Sequence, residues 1–397
     1  MPDSIVTLPQ VRLSRPPTPR LRRGHPWIFS NELAAAPRAI APGSLVDVLT
    51  PAGEFFGRGY YNLQSQIRVR LLSHRSDPID TAWFASRIGA ALALRQRLFP
   101  GAEAYRLIFG EGDRLPGLVV DRYGDVLVAQ FLTAGMQALC EPIREALVAA
   151  CQPRYIIARN DAPMRQLEGL PLEVTDLYGE RPERVTIGKN GLRFDLDVQA
   201  GQKTGFFLDQ SENYTALAPL SSGARVLDGF CYTGAWGLHA AHYGAREVLG
   251  LDSSAPAVER ARENARLNGM EAVCRFEQAD LFDALRKHAD RGERFDLVII
   301  DPPAFAKSKE KIREALRGYR EINRQAFRLL APGGFLVSCS CSYQVGRELF
   351  LEALAEAAKD SRRDAALLEW RGQSRDHPVL LAAPESAYLK CAVMRCE

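Results

Sequence analysis

The chain has no run approaching the roughly 20 consecutive apolar residues that a membrane-spanning helix requires, so no membrane partner is expected. It has no Cys-x-x-Cys pair. The cysteines stand at 140, 151, 231, 274, 339, 341, 391 and 396, the histidines supply no zinc spacing, and no metal site is expected. The opening MPDSIVTLPQ lacks the basic start and apolar core of a secretory signal. That predicts a cytoplasmic protein whose thiols stay reduced, which argues against a disulfide. Internal repeats and low-complexity tracts are absent. Lysine is missing from residues 1–75, yet that stretch carries ten Arg against four acids, a net of +6; the remainder has 41 basic and 44 acidic residues, a net of −3. A basic module on a near-neutral body points to an anionic partner met by one part of the molecule.

Three regions follow from the patterning. Residues 1–75 read as a compact β-rich module, in which GSLVDVLTPAGEFFGRGYYN and QIRVRLLS combine strand formers with Gly and Pro punctuation. Residues 76–185 read as an α+β unit. It opens with the amphipathic stretch AWFASRIGAALALRQRLF and continues with two short strands, PGLVVDR and DVLVAQF, joined at Tyr123-Gly124. A helical stretch, MQALCEPIREALVAAC, comes next. From about 186 the rhythm changes. ARVLDGF, EVLGLD, CRFEQAD, FDLVIID and FLVSCSC are strands, each followed by a helical stretch. Such alternation implies βαβ units and a parallel sheet covered on both faces, an α/β fold for residues 186–397.

In a doubly wound sheet the ligand sits at the carboxyl ends of the strands. Four strands here end in acids. The first gives Asp228-Gly229-Phe230-Cys231-Tyr232-Thr233-Gly234, a tight turn whose backbone N–H groups can approach a ligand. The second ends in Asp252, placed to accept ribose hydroxyls; the third in Asp280, placed to meet an adenine amino group; the fourth in Asp301. One acid of this kind is commonly a helix cap; four on successive strands suggest a nucleotide-like ligand. The turn lacks the Gly-x-Gly-x-x-Gly of a nicotinamide binder and resembles the D-x-F-x-Y-x-G form of S-adenosylmethionine-dependent methyltransferases. Upstream, GQKTGFFLDQ offers Lys203, Asp209 and Gln210 as polar contacts to the methionine end of such a cofactor, before a predicted helix at SENYTAL.

The methyl acceptor is read from two segments. In DPPAFAKSK, Pro302 and Pro303 fix the backbone beside Asp301, and Phe305 offers a face for stacking a flat base. Such segments are common in enzymes that methylate exocyclic amines, a chemistry that needs no nucleophile. Cytosine C5 does need one, because addition of a thiolate to C6 is what makes C5 electron-rich. VSCSCSYQV supplies two cysteines on one face of a strand. Cys341 lies about 6.6 Å nearer the carboxyl end than Cys339 and is the candidate nucleophile. Cys339 reads as a core filler. Lys307 and Lys309 are candidate electrostatic helpers for the thiolate, and Asp301 for the N3/N4 edge of the base. An amino-group methyltransferase using Asp301 and Phe305, and a non-catalytic RNA-binding protein, remain alternatives on these residues.

Taken in order, GHPWIFSNEL, GLVVDRYGDVLVAQF, GQKTGFFLDQ, VLDGFCYTG, DPPAF, RGYREIN, SCS and DHPV…PESAYLK resemble the ribosomal large-subunit RNA cytosine-5 methyltransferase I family over nearly the whole chain. The resemblance implies a PUA β-barrel (1–75), a linking α+β domain (76–185) and a Rossmann-like class I methyltransferase domain (186–397). It also implies 23S rRNA as substrate, 5-methylcytidine as product, and the middle residue of Ser340-Cys341-Ser342 as nucleophile. The family often has Lys where this chain has Ala304, a basic contact that Lys307 would have to replace; related enzymes methylate guanine. On this reading Arg22 and Arg23, with Arg12, Arg15 and Arg20, are candidates for RNA phosphates. His377 reads as a turn residue before a catalytic one. A homodimer is compatible with the sequence.

Overall fold

The computed structural model describes residues 8–34, 39–305 and 309–397. The chain divides into two compact units. The first takes the described residues up to Ile187, with Leu196–Leu208 and Arg375–Ser386; the second takes Gly188–Asp195, Asp209–Ser374 and Ala387–Glu397.

The first unit holds two five-stranded sheets. One runs, in spatial order, Gln10–Arg12, Leu45–Leu49, Phe55–Tyr61, Ile67–Ser73, Trp27–Phe29. Its strands alternate, as LVDVL does by burying Val46 and Val48, and the inward residues Val11, Ile28, Tyr61 and Val69 join one apolar core. A bridge between Leu13 and Leu33 links the continuations of the two edge strands, so the sheet curls back on itself. The other sheet runs Glu173–Gly179, Tyr155–Asn160, Val126–Phe131, Leu118–Tyr123, Ala104–Phe109. Helices Thr81–Leu98 and Cys140–Cys151 share its core through Phe84, Ile88, Ile143 and Leu147. Asp80 caps the first of these helices, its carboxylate accepting from Trp83 N at 2.9 Å.

The second unit is built on a seven-stranded sheet. Its strands are β1 (Arg225–Gly229), β2 (Glu247–Asp252), β3 (Cys274–Gln278), β4 (Phe295–Ile300), β5 (Leu330–Ser340), β6 (Ala365–Arg371) and β7 (Lys390–Cys396), in the order β3-β2-β1-β4-β5-β7-β6. Helices α1 (Ala235–His242), α2 (Ala255–Leu267), α3 (Leu281–Asp290), α4 (Ile312–Leu329) and α5 (Arg347–Asp360) connect the strands. β4 is FDLVII, buried at Phe295 and from Leu297 to Ile300, as a central strand covered on both faces must be. The strand order reverses between β1 and β4, which is where such sheets open a ligand crevice.

Two sequence expectations change. The sheet is not wholly parallel: β7 runs antiparallel between β5 and β6. SENYTAL does not form a regular helix; only Tyr214–Leu217 winds, as a single 3-10 turn. Asn213, which could have capped a longer helix, instead donates to Gln210 Oε1 and Gly372 O.

Candidate active site

The turn after β1 is held in an uncommon backbone form. Phe230 and Tyr232 have φ of 61° and 49°, and Gly234 has 84°. Non-glycine residues seldom adopt such angles, so their surroundings must hold them there. Tyr232 N donates to Asp252 Oδ2 at 2.9 Å and Cys231 N to Leu251 O at 3.0 Å, tying the turn to the end of β2. At Gly234 a Cβ would stand 2.8 Å from the Phe276 ring, so nothing larger fits.

The acids take different roles. Asp228 is fully buried and accepts from Gly237 N at 2.8 Å, so it braces α1 from beneath the turn instead of reaching into the crevice. Burial, reinforced by the charges of Asp301 and Asp252, raises its pKa to about 8. Asp252 is half-buried; its second oxygen accepts from Ser254 N at 2.9 Å. Asp280 is exposed and caps α3 by accepting from Asp283 N. Asp301 follows β4 and is half-buried, and its Oδ2 accepts from Trp236 Nε1 at 2.9 Å and Gln210 Nε2 at 3.0 Å. Gln210 and Asp209 are both buried. They work from behind, Gln210 on Asp301 and Asp209 as the acceptor of the Tyr388 hydroxyl at 2.5 Å. Trp236 escaped the sequence reading, because an aromatic in GAWGLHAAHYG looks like ordinary helix core.

Pro302 is buried and Pro303 exposed. Phe305 is half-buried, with its ring 4.8 Å from that of Tyr319 and 6.4 Å from that of Phe282, so part of the face expected to stack on a base is already covered. Lys307 lies outside the described residues.

The two cysteines at the end of β5 separate by depth. Cys339 is fully buried opposite Cys391 of β7, and burial drives its thiol pKa well up. Cys341 lies one residue past the end of β5, is half-buried, and has its sulfur 3.9 Å from Pro302 O. The flanking serines are tied to one phenol. Ser340 Oγ donates to the Tyr319 hydroxyl at 2.9 Å, and that hydroxyl shares a 2.8 Å hydrogen bond with Ser342 Oγ. Tyr319, from RGYREIN, thereby fixes the backbone on both sides of Cys341. On the other side Lys390 of β7 is buried and donates from Nζ to Ser342 O and Tyr388 O, each at 2.7 Å.

The remaining candidates lie in the first unit. Arg12, Arg15, Arg22 and Arg23 are exposed, whereas Arg20 is engaged with Glu32 at 2.6 Å and with Trp27 O at 2.8 Å. Lys203 sits over the Phe207 ring, 4.3 Å from its centroid. His377 is buried and donates to Asp376 Oδ1 at 2.8 Å. Among the described residues no group of three His, Cys, Asp or Glu could hold a metal, and no helix is long and apolar enough to cross a membrane.

Comparison with known proteins bears directly on this arrangement. Residues 133–376 match the family of S-adenosylmethionine-dependent methyltransferases, and residues 11–74 match the PUA-like domain. The chain is 41% identical over 381 residues to ribosomal RNA large subunit methyltransferase I of Aeromonas hydrophila, covering 94% of this chain and 96% of that one. It is 42% identical over 376 residues to the protein of the same name from Photobacterium profundum, covering 93% and 95%. The chain belongs to the ribosomal RNA large subunit methyltransferase I family. Among solved structures the fold matches SMU.776 complexed with SAH, at a TM-score of 0.83 and 22% identity, over 98% of this chain and 100% of that one. It matches Trm5b from Pyrococcus abyssi less closely, at 0.53 and 16%, over 70% and 74%.

The residues of this methyltransferase fit its cofactor. S-adenosylmethionine carries a sulfonium and an ammonium and presents N–H and O–H donors. The crevice offers carboxylates crowded enough that Asp252 and Asp301 both push up the pKa of Asp228. A cation relieves that repulsion. Each oxygen of Asp252 keeps a lone pair beyond its one backbone N–H, so this residue can still accept from a ribose diol.

Proposed function

We propose that this chain methylates C5 of a cytosine in 23S rRNA, with Cys341 as the nucleophile. The observation that carries the reading is the contrast at the end of β5. One cysteine is sealed in the sheet, while the other emerges at its carboxyl end beside the Asp301-Pro302 segment. A route to cytosine C5 requires that thiol, and an amino-group route does not. When bound, S-adenosylmethionine supplies the electrophilic methyl group.

The chain's own residues do the rest. The Cys341 thiolate adds to C6, and the electron pair displaced from the C5–C6 double bond makes C5 nucleophilic. Asp301, held by Trp236 and Gln210, faces the amine and N3 edge of the base. Tyr319 and the two serines keep the sulfur in place through addition and release. A base then removes the C5 proton, the C5–H pair re-forms the C5–C6 double bond, and the C6–S bond breaks with its pair returning to sulfur. A base in folded RNA must leave its stack to reach such a site. The barrel-like sheet of residues 10–73, with exposed Arg12, Arg15, Arg22 and Arg23, supports a phosphate-gripping role. The names of the relatives support the large-subunit RNA as target. In this proposal residues 1–75, 76–185 and 186–397 serve as RNA grip, linker and catalytic domain.

The test uses 23S rRNA containing 5-fluorocytidine, whose C5 substituent cannot leave. Wild type is expected to be trapped as a covalent complex on a denaturing gel, and Cys341→Ala to give no complex and at least about 10³-fold less transfer to ordinary rRNA. Full transfer by Cys341→Ala, or methylguanosine as the product by mass spectrometry, would overturn the reading.

A further inference from the structure

We infer that Lys390 is a positioning residue that takes the thiol proton of Cys341 and holds the sulfur as a thiolate. The inference rests on the reading of Cys341 as nucleophile, and it begins with where β7 puts the lysine. The antiparallel register pairs Lys390 with Ser340, the residue before Cys341. Its Nζ then reaches past the strand end to the carbonyl of Ser342, the residue after it. The amine is thus fixed to backbone on the far side of the cysteine, with Tyr388 O as its second anchor.

An ammonium has three N–H groups, and two are committed to these carbonyls. Among the described residues no carboxylate lies within ion-pair distance of Nζ, although Lys390 is only 8% exposed. A buried ammonium with no counter-charge is costly, and the cost is met either by losing the proton or by finding an anion. Burial lowers the Lys390 pKa to about 8, and the charge of Cys341 opposes that shift. With its strand partner Ser340 and its bond to Ser342 O on either side of Cys341, the amine is placed to take the thiol proton. The step balances without a further reactant: the S–H bond breaks, an N–H bond forms, and the neutral pair becomes thiolate and ammonium. Among the described residues, titratable groups near the pair include Tyr319 from α4, Cys391 next to Lys390 on β7, and Asp301 next to Pro302, while Tyr388 contributes its backbone carbonyl. Tyr319 is held neutral, since burial raises its pKa. When ionised, Asp301 opposes a thiolate, which sharpens the need for a cation.

The experiment reads the thiol directly, without RNA or cofactor. The full chain is alkylated with iodoacetamide across pH 5.5–9.5, and the rate at the Cys341 peptide is followed by mass spectrometry. In wild type the midpoint is expected below the ordinary value of about 8.5. In Lys390→Met it should rise by about one unit or more, slowing alkylation at pH 7 about tenfold. Lys390→Arg, a fixed cation, should keep the low midpoint. A wild-type midpoint at or above about 8.5 overturns the inference whether or not the variants fold, and so does a folded Lys390→Met with an unchanged profile. Failure of the cytosine reading would appear elsewhere, as methyl transfer by Cys341→Ala, leaving the titration interpretable by itself.

Discussion

Three buried ion pairs of the first unit and the strand-end acids of the second treat charge in opposite ways. In the first set, each arginine is matched by a buried acid. Arg106 makes a two-point contact with Asp121 at 2.8 Å for each bond, Arg95 does the same with Asp113 at 2.5 and 2.7 Å, and Arg70 meets Glu168 at 2.9 Å. In the second, the acids at the sheet's carboxyl end lean on backbone N–H, indole and amide donors, as Asp228, Asp252 and Asp301 do. Lys390 there rests on carbonyls. A buried pair that is internally neutral specifies structure. Ionisable groups held by dipoles alone, without a counter-ion, leave a charge or a proton that a ligand or a reacting group can still shift.

Three substitutions probe that contrast. The largest effect is expected from Arg106→Met, which strands Asp121 in the first unit. Stability should fall by about 3–5 kcal/mol in urea unfolding, and a loss under 1 kcal/mol would mean that the pair is no structural device.

Asp228 tests the other side. Its folded pKa of about 8 lies above the model-peptide value of about 3.9, so between those limits the folded state binds the proton and the unfolded state does not. Stability must therefore fall as pH rises from about 4 to about 8, by at most about 1.4 kcal/mol per pH unit. Asp228→Asn should flatten this slope, and S-adenosylmethionine should flatten it in wild type; both are read from unfolding midpoints across that range. A slope that survives in the asparagine variant would assign it to other groups.

The smallest effect belongs to Tyr319→Phe, which removes one hydroxyl from two buried serines at about 1–3 kcal/mol. The rate of fluorocytidine trapping should fall while S-adenosylmethionine affinity, measured calorimetrically, stays unchanged. Equal loss of both would make Tyr319 a general core residue.

The sequence displayed the strand–helix rhythm of the second unit well, because apolar runs such as FDLVIID and amphipathic helices are local patterns. It also distinguished Cys341 from Cys339, since depth along a strand follows from rise per residue. Other features depend on partners far away in the chain. KCAVMRC is a strand only because β5 and β6 flank it, and EVTDLYG lies on an exposed edge that leaves little apolar signature. Asp228 and Asp280 looked equivalent as strand-end acids, yet one is sealed beneath a turn and the other caps a helix in solvent. Trp236, Tyr319 and Lys390 were invisible as site residues. Each is placed through one atom, an indole N–H, a phenol oxygen or an amine, whose target lies 21 to 65 residues away.

The placement of β7 has a consequence for synthesis. It is the last of the seven strands along the chain, yet it fills an interior slot between β5 and β6. Until it emerges, β5 is an open edge, β6 has no partner in the sheet, and Lys390 is not yet in register with Ser340. On the role inferred for Lys390, a nascent or interrupted chain would carry the thiol before the amine that ionises it, and only a finished sheet would have an armed cysteine.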